Sequence, residues 1–148
     1  MSDTIIAAVI TGIAAVLAAL ITAVSHHNRK ISFGFNLDLY NISGSAYKIV
    51  AVITNCSNKH IANIELYCNK LCIGEIGSLN KGKNDCIILA DAVKTPIKYV
   101  LASDLWFAPN YESGDLEFTV KAGKTEQSFT RSIHDFLDKA SRELKVTY

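Results

Sequence analysis

The sequence lacks the short motifs that mark most enzymes. It contains no glycine-rich phosphate loop of the P-loop or dinucleotide type, no GxSxG nucleophile motif and no HExxH zinc motif. Its 148 residues leave room for one domain of about 120 residues beside a membrane segment, which excludes a multidomain enzyme. We therefore expect a protein with no catalytic activity, no catalytic residues and no cofactor.

The sequence also lacks a metal-binding pattern of cysteines. No CxxC pair occurs, and His60 and His134 are isolated from each other and from any cysteine cluster. We expect no metal site and four free thiols, mostly buried, which suits a reducing cytoplasm. The four cysteines are Cys56, Cys68, Cys72 and Cys86.

No excess charge of either sign is present. The chain has 15 Lys and Arg and 14 Asp and Glu, of which Arg29, Lys30 and Asp3 precede residue 31. Residues 31–148 therefore carry 13 cationic and 13 acidic side chains and are formally neutral. Because binding to duplex nucleic acid needs a broad basic face, we exclude duplex nucleic acid as a partner.

Hydrophobic residues make up 49% of the chain, and the excess lies in residues 5–24 (IIAAVITGIAAVLAALITAV). This segment has no charge, and as a helix it is about 30 Å long, the thickness of a bilayer core. The rest of the chain is about 44% hydrophobic, as in an ordinary globular domain. A single transmembrane helix is predicted. A cleaved signal peptide and a buried core helix are the alternatives, but the segment has no basic residues before it and is not amphipathic.

The flanking charges predict the orientation of this helix. Asp3 precedes it, and Arg29 and Lys30 follow it. Lys and Arg favour the cytoplasmic side, so we expect the N-terminus outside and the C-terminal domain in the cytoplasm. Residues 1–30 are thus interpreted as a membrane segment with a basic flank, and residues 31–148 as a cytoplasmic, ligand-sensing domain.

Small residues gather on one side of the predicted helix. On a helical wheel the bulky aliphatic residues occupy an arc of about 160°. Small side chains allow close helix packing, and threonine can bond across helices, which favours self-association over a simple anchor. The predicted association face comprises Thr4, Ala8, Thr11, Ala15, Ala18 and Thr22.

The pattern after residue 30 predicts a mainly β domain. Apolar and polar residues alternate strictly over 31–40, and β-branched or alternating segments recur every 8–12 residues with polar turns between them. This spacing is typical of a small antiparallel β-sandwich or barrel-like fold. Strands are predicted over 31–40, 46–54, 61–68, 70–77, 86–90, 97–102, 116–123 and 124–130.

An amphipathic helix is predicted at the C-terminus. Ile133, Phe136, Leu137, Ala140 and Leu144 recur at helical spacing. Ser132 followed by Asp135 approximates an N-terminal capping signal. We expect a helix of about three turns that covers part of the sheet.

Two polar turns and one aromatic loop are candidate ligand-binding segments. Backbone N–H groups around Gly82 could hold an anion, and Trp106 could stack on a base. The alternatives are ordinary solubility of polar turns for the lysines and core or interface packing for Trp106. The candidate residues are Lys59, His60, Lys81, Lys83, Asn84 and Trp106.

One membrane helix, a basic flank and a small domain without catalytic motifs form a recognisable layout. In this layout the chain resembles the small membrane-bound effectors of prokaryotic type III CRISPR antiviral systems that respond to cyclic tetra-adenylate. The resemblance covers the whole chain but contains no short motif, so it assigns no binding residue. It implies a homo-oligomer, such as a tetramer, in a prokaryotic inner membrane. That oligomer would bind the cyclic nucleotide and perturb the bilayer through its helices. The alternatives are a passive membrane-anchored interaction module and a phage-type membrane-lesion protein that needs no ligand.

Overall fold

The computed structural model describes residues 3–143, apart from the side chains of residues 3, 4, 24–29 and 113. The chain forms two compact units, Met1–Lys30 and Ile31–Tyr148. The first unit is helix α1, Asp3–Arg29. Within it, Ile5–Ala23 is long and apolar enough to cross a membrane, and its side chains are exposed rather than buried in a protein core.

The second unit is mainly β, as predicted. Its strands are β1 (Phe33–Ser43), β2 (Ala46–Asn55), β3 (Ile61–Cys68), β4 (Leu71–Leu79), β5 (Asn84–Lys94), β6 (Tyr99–Leu101), β7 (Leu116–Ala122) and β8 (Thr125–Arg131), followed by helix α2 (Ile133–Glu143). Each predicted strand is present, with boundaries moved by a few residues. The largest differences are that β5 begins two residues before 86–90 and ends four residues after it, and that β1 continues to Ser43.

The strands form two antiparallel four-stranded sheets. Sheet A has the order β1-β2-β5-β6, and sheet B has the order β4-β3-β7-β8. Alternating residues of both sheets meet in one core, where the Phe35 ring stacks on Phe118 at 5.0 Å and on Phe129 at 5.3 Å. Each sheet has one apolar face, and the two sheets bury these apolar faces against each other.

The structure is a sandwich and not a closed barrel. At one side, edge strands β1 and β8 are joined through side chains, because Phe33 N–H donates to Gln127 and the Arg131 guanidinium donates to the Phe35 carbonyl at 3.1 Å. At the other side, β4 passes close to β5: a Cβ on Gly74 would lie 2.5 Å from Cγ2 of Ile87. Side-chain bonds at the β1 edge also protect it from pairing with other chains.

Helix α2 begins as the sequence predicts. The Asp135 N–H donates to Ser132 Oγ at 3.2 Å, the expected N-terminal cap. Ile133 and Leu137 are buried, and Phe136 and Ala140 are half-buried against the core. Ser141 Oγ accepts the Tyr99 N–H at 2.8 Å, so α2 satisfies a donor on the short strand β6. Leu144 lies outside the described residues.

Candidate functional site

Two of the predicted ligand-binding turns lie side by side at one end of the sandwich. The turn over 56–60 joins β2 to β3, and the turn over 80–83 joins β4 to β5. Backbone bonds connect them, because Asn55 N–H donates to the Lys83 carbonyl and Gly82 N–H donates to the Asn55 carbonyl, each at 2.9 Å. Residues that are some 20 positions apart in sequence are thereby brought together.

The buried side chain of Asn55 holds both turns. It is completely inaccessible to solvent. Its Nδ2 donates to the carbonyls of Lys59 at 2.7 Å and Leu79 at 3.0 Å, and its Oδ1 accepts the Ser57 N–H at 2.9 Å. A buried amide with its donors and acceptor all used fixes the geometry of the groups around it.

The joined turns present a basic surface, which we call the basic end. Its members are the exposed side chains of Lys59, His60, Lys81, Lys83 and Asn84. No Asp or Glu occurs within 56–60 or 80–84, and the exposed carboxylate of Asp85 follows directly after Asn84, so the lysines outnumber the carboxylates here. His60 Nδ1 lies 2.9 Å from Asn80 Oδ1, which links the second turn to the first. Three ammonium groups on neighbouring turns favour an anionic ligand.

The backbone around Gly82 is less free than the sequence suggests. Gly82 has a φ of 69°, the left-handed conformation that a tight turn requires. Its N–H is used by the Asn55 carbonyl, and the Lys83 N–H is used by the Asn80 carbonyl at 3.1 Å. These two backbone donors of the predicted nest are therefore used within the fold, and the exposed polar groups that remain at this end include the side chains of the lysines.

The chain enters the sandwich at the basic end. Phe33 pairs with Asn55 at the start of β1, and the Ser32 carbonyl accepts the Cys56 N–H at 2.9 Å. Asn55 holds the two turns, and the next residue, Cys56, thus bonds directly to the segment that follows Lys30.

Trp106 does not join the basic end. It lies between β6 and β7, and β7 begins beside Arg131 and near Cys68, at the opposite end of sheet B from Ile61. The structure also separates Trp106 from its neighbour: Phe107 is buried in the core, whereas Trp106 is 67% exposed. Core packing therefore holds for Phe107, whereas Trp106 is not part of the core, and the exposure of Trp106 leaves interface packing open.

The outer face of sheet B carries a polar cleft that the sequence did not single out. Its volume is about 580 Å³, and Tyr67, Thr119 and Ser128 contribute to its walls. The Thr119 and Ser128 hydroxyls are 2.9 Å apart, and the Lys121 ammonium is 2.7 Å from Glu126. A hydrogen bond to Glu65 raises the pKa of Tyr67. The polar members of the alternating strands β7 and β8 signalled this face, but not that they enclose a cleft.

The four cysteines are free thiols, as predicted. Cys56, Cys72 and Cys86 are exposed, so the expectation that most are buried is wrong. Cys68 alone is buried, and burial raises its pKa to about 11. Among residues 3–143, no group of three His, Cys, Asp or Glu side chains could hold a metal ion.

The small residues of the predicted association face lie on one side of α1, which we call the small side, because α1 is helical throughout Asp3–Arg29. The Thr11 hydroxyl donates to the Ala7 carbonyl at 2.9 Å, and the Thr22 hydroxyl donates to the Ala18 carbonyl at 2.8 Å. The two donors are thus used within the helix, and only the lone pairs can serve a second helix. Ala8 and Ala15 lie on the same side, and the Thr4 side chain lies outside the described part of the chain.

Comparison of the chain with protein-family models, with curated proteins and with solved structures finds no match.

Proposed function

We propose that the protein is a membrane-anchored, non-catalytic effector whose sandwich domain recognises a phosphate-bearing ligand at the basic end. The observation that carries the proposal is the joining of Lys59 and His60 to Lys81 and Lys83 by Asn55. Two turns held by a buried amide present their charges in a defined arrangement, which favours specific recognition over general solubility.

Cyclic tetra-adenylate is the ligand we propose, on the strength of the layout of the chain. One copy offers three lysines, too few to surround a ring of four phosphates. A symmetric oligomer would repeat the basic end about its axis and supply a ring of ammonium groups. The small side of α1, with Ala8, Thr11 and Ala15, would support the same oligomer in the membrane.

The proposed response starts at the turns. Ligand contacts on the lysines would shift the backbone that Asn55 holds, and the bond from Cys56 to the Ser32 carbonyl would pass this shift to the segment after Lys30. We place the sandwich in the cytoplasm of a prokaryote and the N-terminus outside, because Arg29 and Lys30 follow the membrane span.

The ligand test is a calorimetric titration of the full chain in detergent micelles with cyclic tetra-adenylate. The double variant Lys81→Ala, Lys83→Ala should bind at least about ten-fold more weakly, since loss of two charge-assisted contacts of about 1 kcal/mol each exceeds 1.4 kcal/mol. Lys94→Ala, at the other end of β5, is the matched control and should bind as the wild type does. No heat of binding to the wild type would reject this ligand.

The membrane test uses liposomes that contain the full chain and a trapped dye. Cyclic tetra-adenylate should release the dye, and Thr11→Leu with Ala15→Leu should reduce the release because the small side of α1 is filled. Ile13→Leu, on the bulky side, should leave it unchanged.

Two measurements distinguish the alternatives, one in these liposomes and one in cells. Release without any ligand would identify a lesion-forming protein. If the effector's cellular activity survived replacement of residues 5–24 by an unrelated apolar helix, the passive interaction module would be correct.

A further inference from the structure

A second cavity lies beside the exposed indole of Trp106. Its volume is about 690 Å³, and its walls include Asp104, Trp106, Pro109, Tyr111 and Glu112. The basic end contributes no residue to these walls. An indole that is 67% exposed beside an open cavity is a typical contact surface for a ligand or partner, because its burial removes a large apolar area from water.

The segment that carries Trp106 is held firmly by the core. Leu105, Phe107 and Ala108 are buried, and the Ala108 N–H donates to the Leu105 carbonyl at 2.9 Å. The Phe107 ring meets the Trp106 ring edge-on, with centroids 5.5 Å apart and planes at 88°. Trp106 is therefore exposed but supported, so that little ordering is needed when it binds.

Tyr111, another residue that lines the cavity, is also fixed. The Tyr111 N–H donates to the Ala108 carbonyl at 3.0 Å, and the Tyr111 hydroxyl donates to Asp104 Oδ1 at 3.2 Å. The Tyr111 ring stacks on His134 of α2, with centroids 5.9 Å apart. These contacts keep Asp104 at the cavity with its carboxylate already oriented.

The charge around the cavity is negative. Residues 102–115 contain Asp104, Glu112 and Asp115 and no Lys or Arg. Among the side chains that the structure describes, the ion pairs are Lys48–Asp91, Lys121–Glu126 and Lys139–Glu143, and none of these involves Asp104 or Glu112. A phosphate beside these carboxylates would be repelled, and this counts against Trp106 as a platform for a nucleotide base.

We infer that this cavity binds an arginine side chain of a partner protein, with the guanidinium over the Trp106 indole and its N–H groups directed to the carboxylates of Asp104 and Glu112. Arginine combines a planar cation that stacks on indole with a fork of donors that matches carboxylates. The site is independent of the proposed function at the basic end, and either can fail without the other.

Trp106 is the only tryptophan in the chain, so its fluorescence reports on this cavity alone. We would titrate the full chain in detergent micelles with acetyl-Gly-Arg-Gly-Arg-Gly-amide and follow the indole emission. The matched peptide has citrulline in place of arginine, which keeps the shape and removes the charge. The arginine peptide should give a saturable change, and the citrulline peptide should bind at least about ten-fold more weakly.

Two variants test the carboxylates. Glu112→Gln changes an exposed side chain and should weaken arginine-peptide binding about three-fold or more, and Asp104→Asn should act in the same direction. Glu75→Gln on sheet B is the control and should bind as the wild type does. Equal binding of both peptides, unchanged affinity in Glu112→Gln and Asp104→Asn, or no saturable change up to about 10 mM peptide would each overturn the inference.

Discussion

Replacing Asn55 with alanine should destabilise the sandwich more than any exposed asparagine can. The Asn55 side chain makes four hydrogen bonds, to the carbonyls of Lys59 and Leu79 and to the N–H and hydroxyl of Ser57. At about 1 kcal/mol each they contribute about 4 kcal/mol, and water entering the space left by the side chain would recover part of this. We expect a loss of about 3 kcal/mol in the free energy of unfolding.

The loss should be visible in thermal melts of the full chain in detergent micelles, followed by the circular dichroism of the sheets. For a domain of this size, 1 kcal/mol corresponds to about 4 °C, so the Tm of Asn55→Ala should fall by about 12 °C. Ser57→Ala removes only a hydroxyl, and its Tm should fall by about 4 °C.

Asn36→Ala is the matched control. Asn36 is exposed on β1, and its replacement should change the free energy of unfolding by less than about 0.5 kcal/mol. If Asn55→Ala melted within a few degrees of Asn36→Ala, the assignment of Asn55 as the residue that holds the two turns would be wrong.

Three further predictions concern the packing of the sheets, the buried thiol and the exposed thiols. Gly74→Ala should lower the free energy of unfolding by about 1–3 kcal/mol, because the new Cβ would meet Ile87. Gly77→Ala is the control, since a Cβ at residue 77 would have no neighbouring atom within 4 Å, and its Tm should be close to that of the wild type. Equal Tm values for the two variants would contradict the close approach of β4 to β5. Because the pKa of Cys68 is raised from 9.0 to about 11, its contribution to stability should be present below pH 9 and lost as the pH rises through 11. Cys68→Ala should reduce this alkaline loss, and parallel alkaline melts of the variant and wild type would refute the assignment. A thiol reagent at neutral pH should modify Cys56, Cys72 and Cys86 faster than Cys68.

Much of the fold could be predicted because it depends on local patterns. Strict alternation over 31–40 can bury only one face of a strand, and the result is β1, with Phe33, Phe35 and Leu37 in the core. The spacing of apolar residues and the cap at Ser132 likewise predicted α2. Strand order and the choice of sandwich over barrel were not predictable, because they depend on contacts such as that of Arg131 with the Phe35 carbonyl, between residues far apart in sequence.

The candidate site shows the same division. Residue type alone indicated the lysines of the two turns as possible anion contacts, and it could not show that the turns meet. Asn55 escaped notice because an asparagine at the end of a strand is common, and its importance comes from complete burial. Residue chemistry alone groups Trp106 with the lysines, but chain topology puts it at the other end of sheet B.

The sequence by itself determined the membrane-length helix, the β-rich class and the C-terminal helix, because hydrophobic periodicity and uninterrupted apolar length are properties of neighbouring residues. Only the tertiary structure decided which charges lie together. It brings Lys59 to Lys81 through a buried amide and keeps Trp106 among carboxylates, since the position of a loop depends on how the strands around it pair and pack.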